Sequence, residues 1–374
     1  MKIIYIIEYI NHLGGAHVAT ANLLAELIKR GVEIDVLTDC IPSRETLARF
    51  KGVHIIAMPL RRWTIEWIIR GLWRRMFHTL SCPDWALDPN GDIRKLLLSY
   101  NCVCVMSELS RYKRLVSQLP QSIRKVQLIH TDYLSMCKND KYAKVACRSD
   151  RSIFDKMDVV GVVGHVNAQK LARAFPQLAP KITFFHNYMM QELPHRPVDC
   201  AEKLRIVSAF SFEGEAKDPV RVVEIAIRLV RLGVNIDWTF FGDGAMRYDL
   251  ESKVARLGVQ QRIHFAGIVQ SPKQIFENAD LFVLLSHYEG LPMVIYEALI
   301  SGVPVFSTNV GGISEQISDG QNGWLVEDDA RMIFEKLLSV VRNRRLILLT
   351  KQNLLSYRYD NEGAINEHLF IMGM

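Results

Sequence analysis

Short apolar runs, rich in β-branched residues, alternate along the chain with amphipathic stretches of helical period. This alternation is typical of parallel sheets covered by helices, because a crossover helix separates consecutive parallel strands. In the first half, the pattern predicts strands at Lys2–Ile7, Glu33–Leu37, Val53–Ala57, Cys102–Met106, Lys125–Ile129, Val159–Val163 and Lys181–Phe185. In the second half, it predicts strands at Arg205–Ala209, Asp237–Phe241, Arg262–Phe265, Leu281–Leu285 and Pro304–Ser307.

The alternation is interrupted after Asn187, where the polar, proline-bearing stretch QELPHRPVDCAEK is typical of a linker. We therefore predict an α/β fold of two doubly wound, Rossmann-like domains, at residues 1–190 and 200–356. A terminal helix within residues 357–374 is predicted to return to the first domain. Because ligands of such sheets bind at the carboxyl ends of the strands, we expect a central cleft between the two domains.

The composition is that of an ordinary globular protein, with 49% apolar and 23% charged residues in a chain of 374. No apolar run reaches the roughly 18 residues that span a bilayer. The first residues resemble a short signal peptide, but Glu8, Asn11 and His12 interrupt them, which favours a buried strand. Seven cysteines without a CxxC motif favour reduced thiols in a cytosol over disulfides or a zinc site.

The charge is distributed unevenly between the two halves. Residues 1–190 carry a net charge of +11 and the remainder carries −5, which together give the overall +6. A basic first half fits an anionic partner such as phosphate groups, a membrane surface or nucleic acid, and it equally fits a solvated surface that happens to be basic.

The stretch with the most chemical information is SHYEGLPMVIYEALISGVPVFSTNVGGISEQISD, which follows the predicted strand Leu281–Leu285. Pro292 stands where a helix can begin, and a second turn, Gly311-Gly312, opens a further helix. The first amides of a helix attract phosphate through free N–H groups and the helix dipole. The residues predicted to present such amides are Gly290, Leu291, Met293 and Val294, and Pro292, which has no N–H, is predicted to belong to the same donor-binding loop.

Two carboxylates border this predicted helix start. Glu289 precedes the helix and Glu297 lies within its first two turns, so they can address different parts of one ligand. A carboxylate accepts hydrogen bonds from paired hydroxyls, which suits sugar or ribose diols. The alternative is an ordinary strand–loop–helix unit with two surface glutamates.

The segment EGLPMVIYEAL resembles the E-x₇-E motif of the retaining GT-B glycosyltransferases of family four, which include many bacterial polysaccharide and lipopolysaccharide transferases. The resemblance extends over most of residues 205–330, and over residues 1–190 it depends on Gly14-Gly15 and His130. It implies that Glu289 contacts the hydroxyls of the donor sugar and Glu297 the nucleotide ribose. The amides at Gly290 and Leu291 would then hold the diphosphate.

The resemblance also assigns residues outside that segment. Gly242 and Asp243, in the FGDG at a strand end, would lie near the nucleoside. His130 would lie beside the reacting sugar, with Asp132 near enough to orient it. Gly14-Gly15, at a helix start after the first strand, can approach a phosphate or sugar closely, although a tight turn without function is the alternative. Without a G-x-G-x-x-G we expect no dinucleotide cofactor.

Lys217 corresponds to the family lysine that neutralises the leaving diphosphate. The family arginine that assists it corresponds here to Phe212, which is a departure from the pattern, and either Arg221 or Arg247 is a candidate to compensate. The sequence contains no D-x-D, so we expect no metal and assign leaving-group charge to Lys217 and backbone amides.

A separate segment, Arg61–Phe77 (RRWTIEWIIRGLWRRMF), combines a local charge of +4 with an apolar face at helical spacing. A cationic helix with tryptophans at its margin is the pattern of an interfacial membrane helix. The alternative is a domain helix with a core face and solvated arginines, and nucleic-acid binding is disfavoured because no recognised module accompanies the charge. The residues predicted to contact a membrane or an acceptor are Arg61, Arg62, Trp63, Trp67, Arg70, Arg74 and Arg75.

Together these features predict a glycosyltransferase, in the cytoplasm or on the cytoplasmic face of a membrane. It would transfer a hexose or N-acetylhexosamine from a nucleotide diphosphate sugar, UDP-linked rather than GDP-linked, with retention. The acceptor would be a hydroxyl of a glycan or lipid-linked glycan in bacterial surface polysaccharide synthesis. Two alternatives remain open: a catalytically silent GT-B partner subunit, and a two-domain epimerase or phosphorylase of similar shape.

Overall fold

The computed structural model describes residues 1–11, 14–58, 88, 91–140, 143–144, 147–189, 203–269 and 271–374. The chain divides into two compact units. Unit 1 comprises Met1–Tyr188 together with Asp360–Met374, and unit 2 comprises Met189–Tyr359. Within the described ranges, no helix is both long enough and apolar enough to cross a membrane.

Among its described residues, unit 1 contains a seven-stranded parallel sheet in the order β3-β2-β1-β4-β5-β6-β7. Strands such as CVCV (β4) and VVGVV (β6) are buried at every position, as expected where helices cover both faces of a parallel sheet. The strands are β1 Lys2–Ile6, β2 Glu33–Thr38, β3 His54–Ala57, β4 Cys102–Val105, β5 Arg124–Ile129, β6 Val159–Val163 and β7 Ile182–Phe185.

The last helix of the chain packs in unit 1. Ile365 and Ile371 are buried, the Arg124 guanidinium donates to the Ile371 carbonyl at 2.8 Å, and Glu367 accepts from the His186 amide at 2.7 Å. The described helices of unit 1 are Gly15–Lys29, Arg44–Arg49, Asp92–Leu97, Lys113–Ser117, Tyr133–Asn139, Asp150–Phe154, His165–Ala174 and Asn361–Met372, with 3₁₀ turns at Cys147–Ser149 and Pro176–Lys181.

The described part of unit 2 contains a six-stranded parallel sheet in the order β10-β9-β8-β11-β12-β13. Strand β8 has β9 on one side and β11 on the other, so the chain adds strands in one direction through β9 and in the opposite direction from β11. The switch point therefore lies between β8 and β11. Such a switch point leaves a crevice at the carboxyl ends of the two strands. The strands are β8 Leu204–Ala209, β9 Ile236–Phe241, β10 Ile263–Gly267, β11 Leu281–Leu284, β12 Val305–Thr308 and β13 Gly323–Val326.

One continuous apolar core supports this sheet, and Trp238 and Phe240 stack within it at 5.6 Å between ring centroids. The helices that cover it are amphipathic; in PVRVVEIAIRLVR, for example, most apolar positions are buried, whereas Glu224 and Arg228 are exposed. The described helices of unit 2 are Pro219–Arg231, Arg247–Arg256, Pro272–Phe276, Met293–Ile300, Ile313–Gln316, Ala330–Arg342 and Arg344–Leu354.

Every strand predicted from the sequence is present, with ends that differ by two residues or fewer, so the predicted α/β class is confirmed. The short strand β13 was not predicted. Its residues GWLV follow a turn-forming stretch and are too few to show a period, and they become a strand by pairing with β12. The predicted linker falls largely within residues 190–202, outside the described residues.

Candidate functional site

Two loops follow the strands that form the switch point of unit 2. The loop after β8 carries Lys217 immediately before the helix Pro219–Arg231, and the loop after β11 carries Glu289 before the helix Met293–Ile300. Because β8 and β11 are neighbouring parallel strands, both loops lie at the same edge of the sheet. The topology therefore brings together two residues that are 72 positions apart in sequence.

Lys217 and Glu289 form an ion pair at this edge. The Glu289 residue is only 8% exposed, and its carboxylate also accepts a hydrogen bond of 2.6 Å from the buried Ser286 hydroxyl. The Lys217 side chain is 29% exposed. The pair can therefore be reached from solvent through the lysine, and each member can exchange its partner for a charged or hydroxylated ligand.

The Gly311-Gly312 turn supports the backbone at Glu289. Gly311 has a φ of +55°, and a Cβ at this position would lie 1.9 Å from the Glu289 carbonyl oxygen. The next amide, of Gly312, donates to the Gly290 carbonyl at 2.9 Å. Only glycine allows this approach, so the second predicted turn fixes the height of the glutamate loop above the sheet.

The helix Met293–Ile300 begins directly after Pro292, as predicted. Leu291 and Pro292 are buried, and the Pro292 carbonyl accepts from the Gln316 amide group at 3.0 Å, which anchors the helix start. The N–H groups of Met293 and Val294 have no acceptor within the helix, because they belong to its first turn. These two residues are half-buried, so their amides and the helix dipole favour an anion here.

Glu297 lies in the second turn of that helix and differs in its environment from Glu289. The residue is half-buried, and burial of its carboxyl group raises the pKa to about 7. Desolvation is the cause of the rise, and within the described part of the chain no cation offsets it. A carboxyl group that is poorly solvated and lacks a cationic partner gains from hydroxyl donors supplied by a ligand.

The FGDG stretch packs on the loop after β8. Gly242 has a φ of +119°, and a Cβ there would lie 1.9 Å from the Phe210 carbonyl oxygen. The Phe212 amide donates to the Asp243 carbonyl at 3.0 Å. Gly242 and Asp243 thus lie beside the lysine loop, at the carboxyl edge of β9.

Phe212 is fully buried between aromatic neighbours, 5.2 Å from Phe210 and 5.8 Å from Phe265 between ring centroids. This position serves the core and supplies no cation. Arg221, one of the two proposed substitutes, is engaged by the Asp328 carboxylate and the Leu285 carbonyl.

Arg247, the other proposed substitute for the family arginine, has two distant carboxylate neighbours, Asp243 at 3.7 Å and Glu251 at 3.9 Å. Asp280 is part of the scaffold: it is fully buried between Arg205 and Lys351, which hold the pKa of its carboxyl below the ordinary value despite desolvation.

In unit 1, Gly14 precedes the helix Gly15–Lys29 and has an extended conformation, with φ −65° and ψ 152°. Its carbonyl accepts from the amides of His17 and Val18, which makes it the residue at which the helix begins. The predicted helix start is therefore confirmed, and Gly14 needs no left-handed conformation here. Contact of Gly14 and Gly15 with a ligand stays a prediction.

His130 follows β5 and is held in an apolar setting, with its ring edge-on to Phe185 at 5.1 Å between centroids. Burial lowers its pKa to about 3, with smaller contributions from the nearby His368 and His17, so the ring is neutral. Its polar neighbour is Asn187.

The prediction that Asp132 orients His130 is wrong. The Asp132 carboxylate instead caps the helix Tyr133–Asn139 by accepting from the Ser135 amide at 3.2 Å, and it pairs with Lys170 at 2.5 Å.

A third set of charged residues at the switch point was not predicted. His287, Asp218 and Asp328 join the two loops of the site. Their sequence positions gave no signal, because His287 and Asp328 are 41 residues apart and only the sheet topology brings them together. The segment Arg61–Phe77 lies outside the described residues, and in the described ranges no cluster of three His, Cys, Asp or Glu residues could hold a metal.

Comparison with protein families and curated proteins identifies the region that contains this site. Residues 201–354 match the family described as glycosyl transferases group 1. The Vi polysaccharide biosynthesis protein VipC/TviE of Salmonella typhi is 32% identical over 167 residues, which cover 43% of this chain and 29% of that protein. An α-1,4-N-acetyl-D-galactosaminyltransferase of Campylobacter jejuni, named for a diphospho-undecaprenol-linked glycan, is 34% identical over 34% of this chain and 35% of that enzyme. The chain thus spans about a third of the length of these relatives.

Solved structures extend the likeness of the fold to the whole chain. Staphylococcus aureus TarM, in a complex that contains UDP, superposes with a TM-score of 0.76 at 12% identity and full coverage of both chains. Anabaena HepE, in complex with UDP-glucose, superposes with a TM-score of 0.71 at 18% identity and covers 99% of each chain. The fold is that of the GT-B glycosyltransferases, which confirms the predicted fold class.

Proposed function

We propose that this protein is a glycosyltransferase that moves a hexose or N-acetylhexosamine from a nucleotide diphosphate sugar to a hydroxyl of its acceptor, with retention. The observation that carries the proposal is the Lys217–Glu289 pair beside the start of the helix Met293–Ile300. It places a cation, a carboxylate and free amides at one switch point, within the segment that matches group 1 glycosyl transferases.

Each residue has a separate role in the proposed reaction. Lys217 and the amides of Met293 and Val294 stabilise the negative charge that develops on the leaving diphosphate. Glu289, released from Lys217, accepts hydrogen bonds from hydroxyls of the donor sugar. Glu297 accepts hydrogen bonds from the ribose hydroxyls, and these bonds compensate for the poor solvation of its carboxyl group.

Further proposed contacts are less constrained by the geometry. Gly242 and Asp243 would lie against the nucleoside, and Gly290 and Leu291 would add amides at the diphosphate. From unit 1, Gly14, Gly15 and His130 would contact the donor sugar or acceptor, as the resemblance implies. The neutral His130 ring suits a role in hydrogen bonding rather than as a cation.

The donor and acceptor classes are proposed from relatives. TarM and HepE were solved with UDP or UDP-glucose, which supports a UDP-linked donor. Relatives named for Vi polysaccharide and for an undecaprenol-linked glycan support a glycan or lipid-linked acceptor in bacterial surface polysaccharide synthesis. We also propose action at the cytoplasmic face of a membrane, which the same class of acceptor and the basic composition of the segment Arg61–Phe77 support.

One observation favours a second candidate, a catalytically silent partner subunit. Phe212 stands where the family has an arginine, and its side chain is buried in the core. One cation fewer would therefore be present at the diphosphate. The retained Lys217, Glu289 and Glu297 favour the enzyme, because a chain without a donor would gain nothing from an exchangeable ion pair and a desolvated carboxyl group.

The deciding experiment is incubation of the purified protein with a panel of UDP- and GDP-sugars, with calorimetry for binding and mass spectrometry for sugar release or transfer. The enzyme should bind UDP and release UDP from one donor. Its melting temperature should rise as the concentration of bound nucleotide or nucleotide sugar increases. Absence of binding and turnover at millimolar concentrations of every nucleotide sugar would establish the silent subunit. Retention is tested by the anomeric proton signals of donor and product.

Chelation tests how the diphosphate is neutralised. Activity should survive excess EDTA, because Lys217 and amides supply the charge that a metal supplies elsewhere. Loss of activity on chelation, with recovery on adding Mn²⁺ or Mg²⁺, would contradict that assignment.

A further inference from the structure

His287 belongs to the glutamate-bearing loop after β11 and contacts the lysine-bearing loop after β8. Its backbone amide donates to the Ala216 carbonyl at 2.8 Å. Its ring nitrogens face two carboxylates, with Nε2 3.2 Å from Asp218 and Nδ1 2.7 Å from Asp328. His287 therefore contacts the residues on both sides of Lys217.

Asp218 is the residue that sets the direction of the lysine loop. Its φ of +40° is in the left-handed region, and its side chain caps the helix Pro219–Arg231 by accepting from the Arg221 amide at 3.1 Å. A left-handed residue other than glycine persists only where its surroundings hold it. Here the second carboxylate oxygen is held by His287 and by the Arg221 Nε at 3.3 Å.

Arg221 closes the network from the other side. Its guanidinium contacts the Asp328 carboxylate at 2.5 Å and the Leu285 carbonyl, at the base of the glutamate loop. Two carboxylates thus alternate with a guanidinium and an imidazole, and each ring nitrogen of the imidazole faces one of the carboxylates. We call His287, Asp218, Arg221 and Asp328 the loop bracket.

We propose that His287 is a positioning residue that, through the loop bracket, fixes Lys217 relative to Glu289; this rests on the proposed function. The Lys217 ammonium must leave Glu289 and reach the diphosphate when the donor binds. The side chain can make that exchange accurately only if the backbone on both sides of it stays in place. His287 provides this restraint and touches neither donor nor acceptor.

The test is a double-mutant cycle in the full-length chain. His287→Ala should lower kcat for donor turnover about 10-fold or more, with KM changed less than about 3-fold, because the misplaced contact is one of the transition state. In the Lys217→Ala background the same change should have almost no effect. His287→Arg, which supplies several N–H donors, should recover part of the activity.

His264→Ala is the matched control, because it removes an exposed histidine from the same unit and should leave kcat unchanged. A His287→Ala loss of equal size with and without Lys217 would assign His287 a general structural role and overturn the proposal. An unchanged kcat would overturn it as well.

A second readout does not need activity. The energetic coupling between Lys217 and Glu289, measured by thermal unfolding of the single and double alanine variants, should shrink in the His287→Ala background. A wild type without any nucleotide-sugar activity contradicts the proposed function, and the unfolding cycle then decides the loop bracket alone. Coupling that stays the same without His287 would overturn it.

Discussion

At the residue scale, the environment of each carboxylate separates scaffold from chemistry. Asp280 is enclosed by Arg205 and Lys351 and has no exposed surface, so its charge is permanently satisfied. Glu289 pairs with Lys217, which is partly open to solvent, and among the residues that the structure describes no cation contributes to the pKa of Glu297. Glu289 and Glu297 are therefore the carboxylates whose interactions a bound ligand can complete.

Lys217 carries the first prediction at this scale. Lys217→Ala should reduce turnover about 10²- to 10³-fold, because a charge-assisted contact to the leaving group is lost in the transition state. Lys217→Arg should keep part of the activity, since the charge remains although its geometry changes. Steady-state kinetics with the identified donor measure both, and equal activity of wild type and Lys217→Ala would contradict the proposed role.

Glu297 gives a prediction in pH. Its pKa is raised in the folded protein, so the protonated acid stabilises the fold at low pH, and that stability is lost as pH rises through about 7. Glu297→Gln should therefore raise the melting temperature at pH 8 and change it little at pH 5. The exposed Glu277→Gln is the control and should show no such pH dependence.

The same variant tests the ribose contact. In the wild type, affinity for UDP should increase from pH 6 to pH 8 as the carboxylate forms, whereas in Glu297→Gln it should be lower and flat. Calorimetric titration at the two pH values measures this. A wild-type affinity that does not depend on pH would place the ribose elsewhere.

At the scale of elements, glycines determine how closely neighbouring loops approach. Gly242 lies against the Phe210 carbonyl and Gly311 against the Glu289 carbonyl, and both have positive φ. The two turns therefore set the backbone positions of the lysine loop and the glutamate loop, because each packs directly against one of them. Side chains of the site act from a backbone that these contacts define.

Gly311→Ala tests this at the glutamate loop. A Cβ would meet the Glu289 carbonyl at 1.9 Å, so the loop must move or the fold must strain. We expect a loss of roughly 1–3 kcal/mol in stability beyond the left-handed penalty, together with lower turnover. Gly320→Ala is the matched control: its φ is +78° and an added Cβ would have no atom within 4 Å, so it isolates that penalty. Equal effects of the two changes on melting temperature would show that the contact at Gly311 is unimportant.

At the scale of the whole molecule, the path of the chain makes unit 1 depend on residues from the end of the sequence. Ile365 is fully buried, and the Met372 sulfur accepts from the Tyr5 hydroxyl at 3.4 Å. Unit 1 therefore combines the first and last residues of the chain, and unit 2 is formed from the residues between them.

Ile365→Ala should destabilise unit 1 by about 2–5 kcal/mol, the usual range for a large-to-small change in a core. Phe370→Ala, on the same helix but 66% exposed, is the control and should have little effect. UDP affinity should be unchanged by either, because the proposed nucleotide contacts of unit 2 do not include this helix. Thermal unfolding and calorimetry separate the two outcomes, and a loss of UDP affinity in Ile365→Ala would contradict this division.

The sequence by itself determined the elements and their class. Apolar periodicity placed the predicted strands to within two residues, and Pro292, Gly14 and Gly311-Gly312 marked helix starts, because these signals depend on local backbone preferences. It also provided the candidates Lys217, from one short segment, and Glu289 with Glu297, from a second short segment, through the resemblance.

Only the tertiary structure decided which of these residues meet and how each is charged. The adjacency of β8 and β11 brings Lys217 against Glu289 and Asp218 against His287, and the further order β11-β12-β13 adds Asp328; none of the last three residues carries a local signal. Burial raises the pKa of Glu297 and lowers that of His130. The physical reason is that pairing and desolvation depend on distances between residues far apart in sequence, and those distances exist only once the sheet has formed.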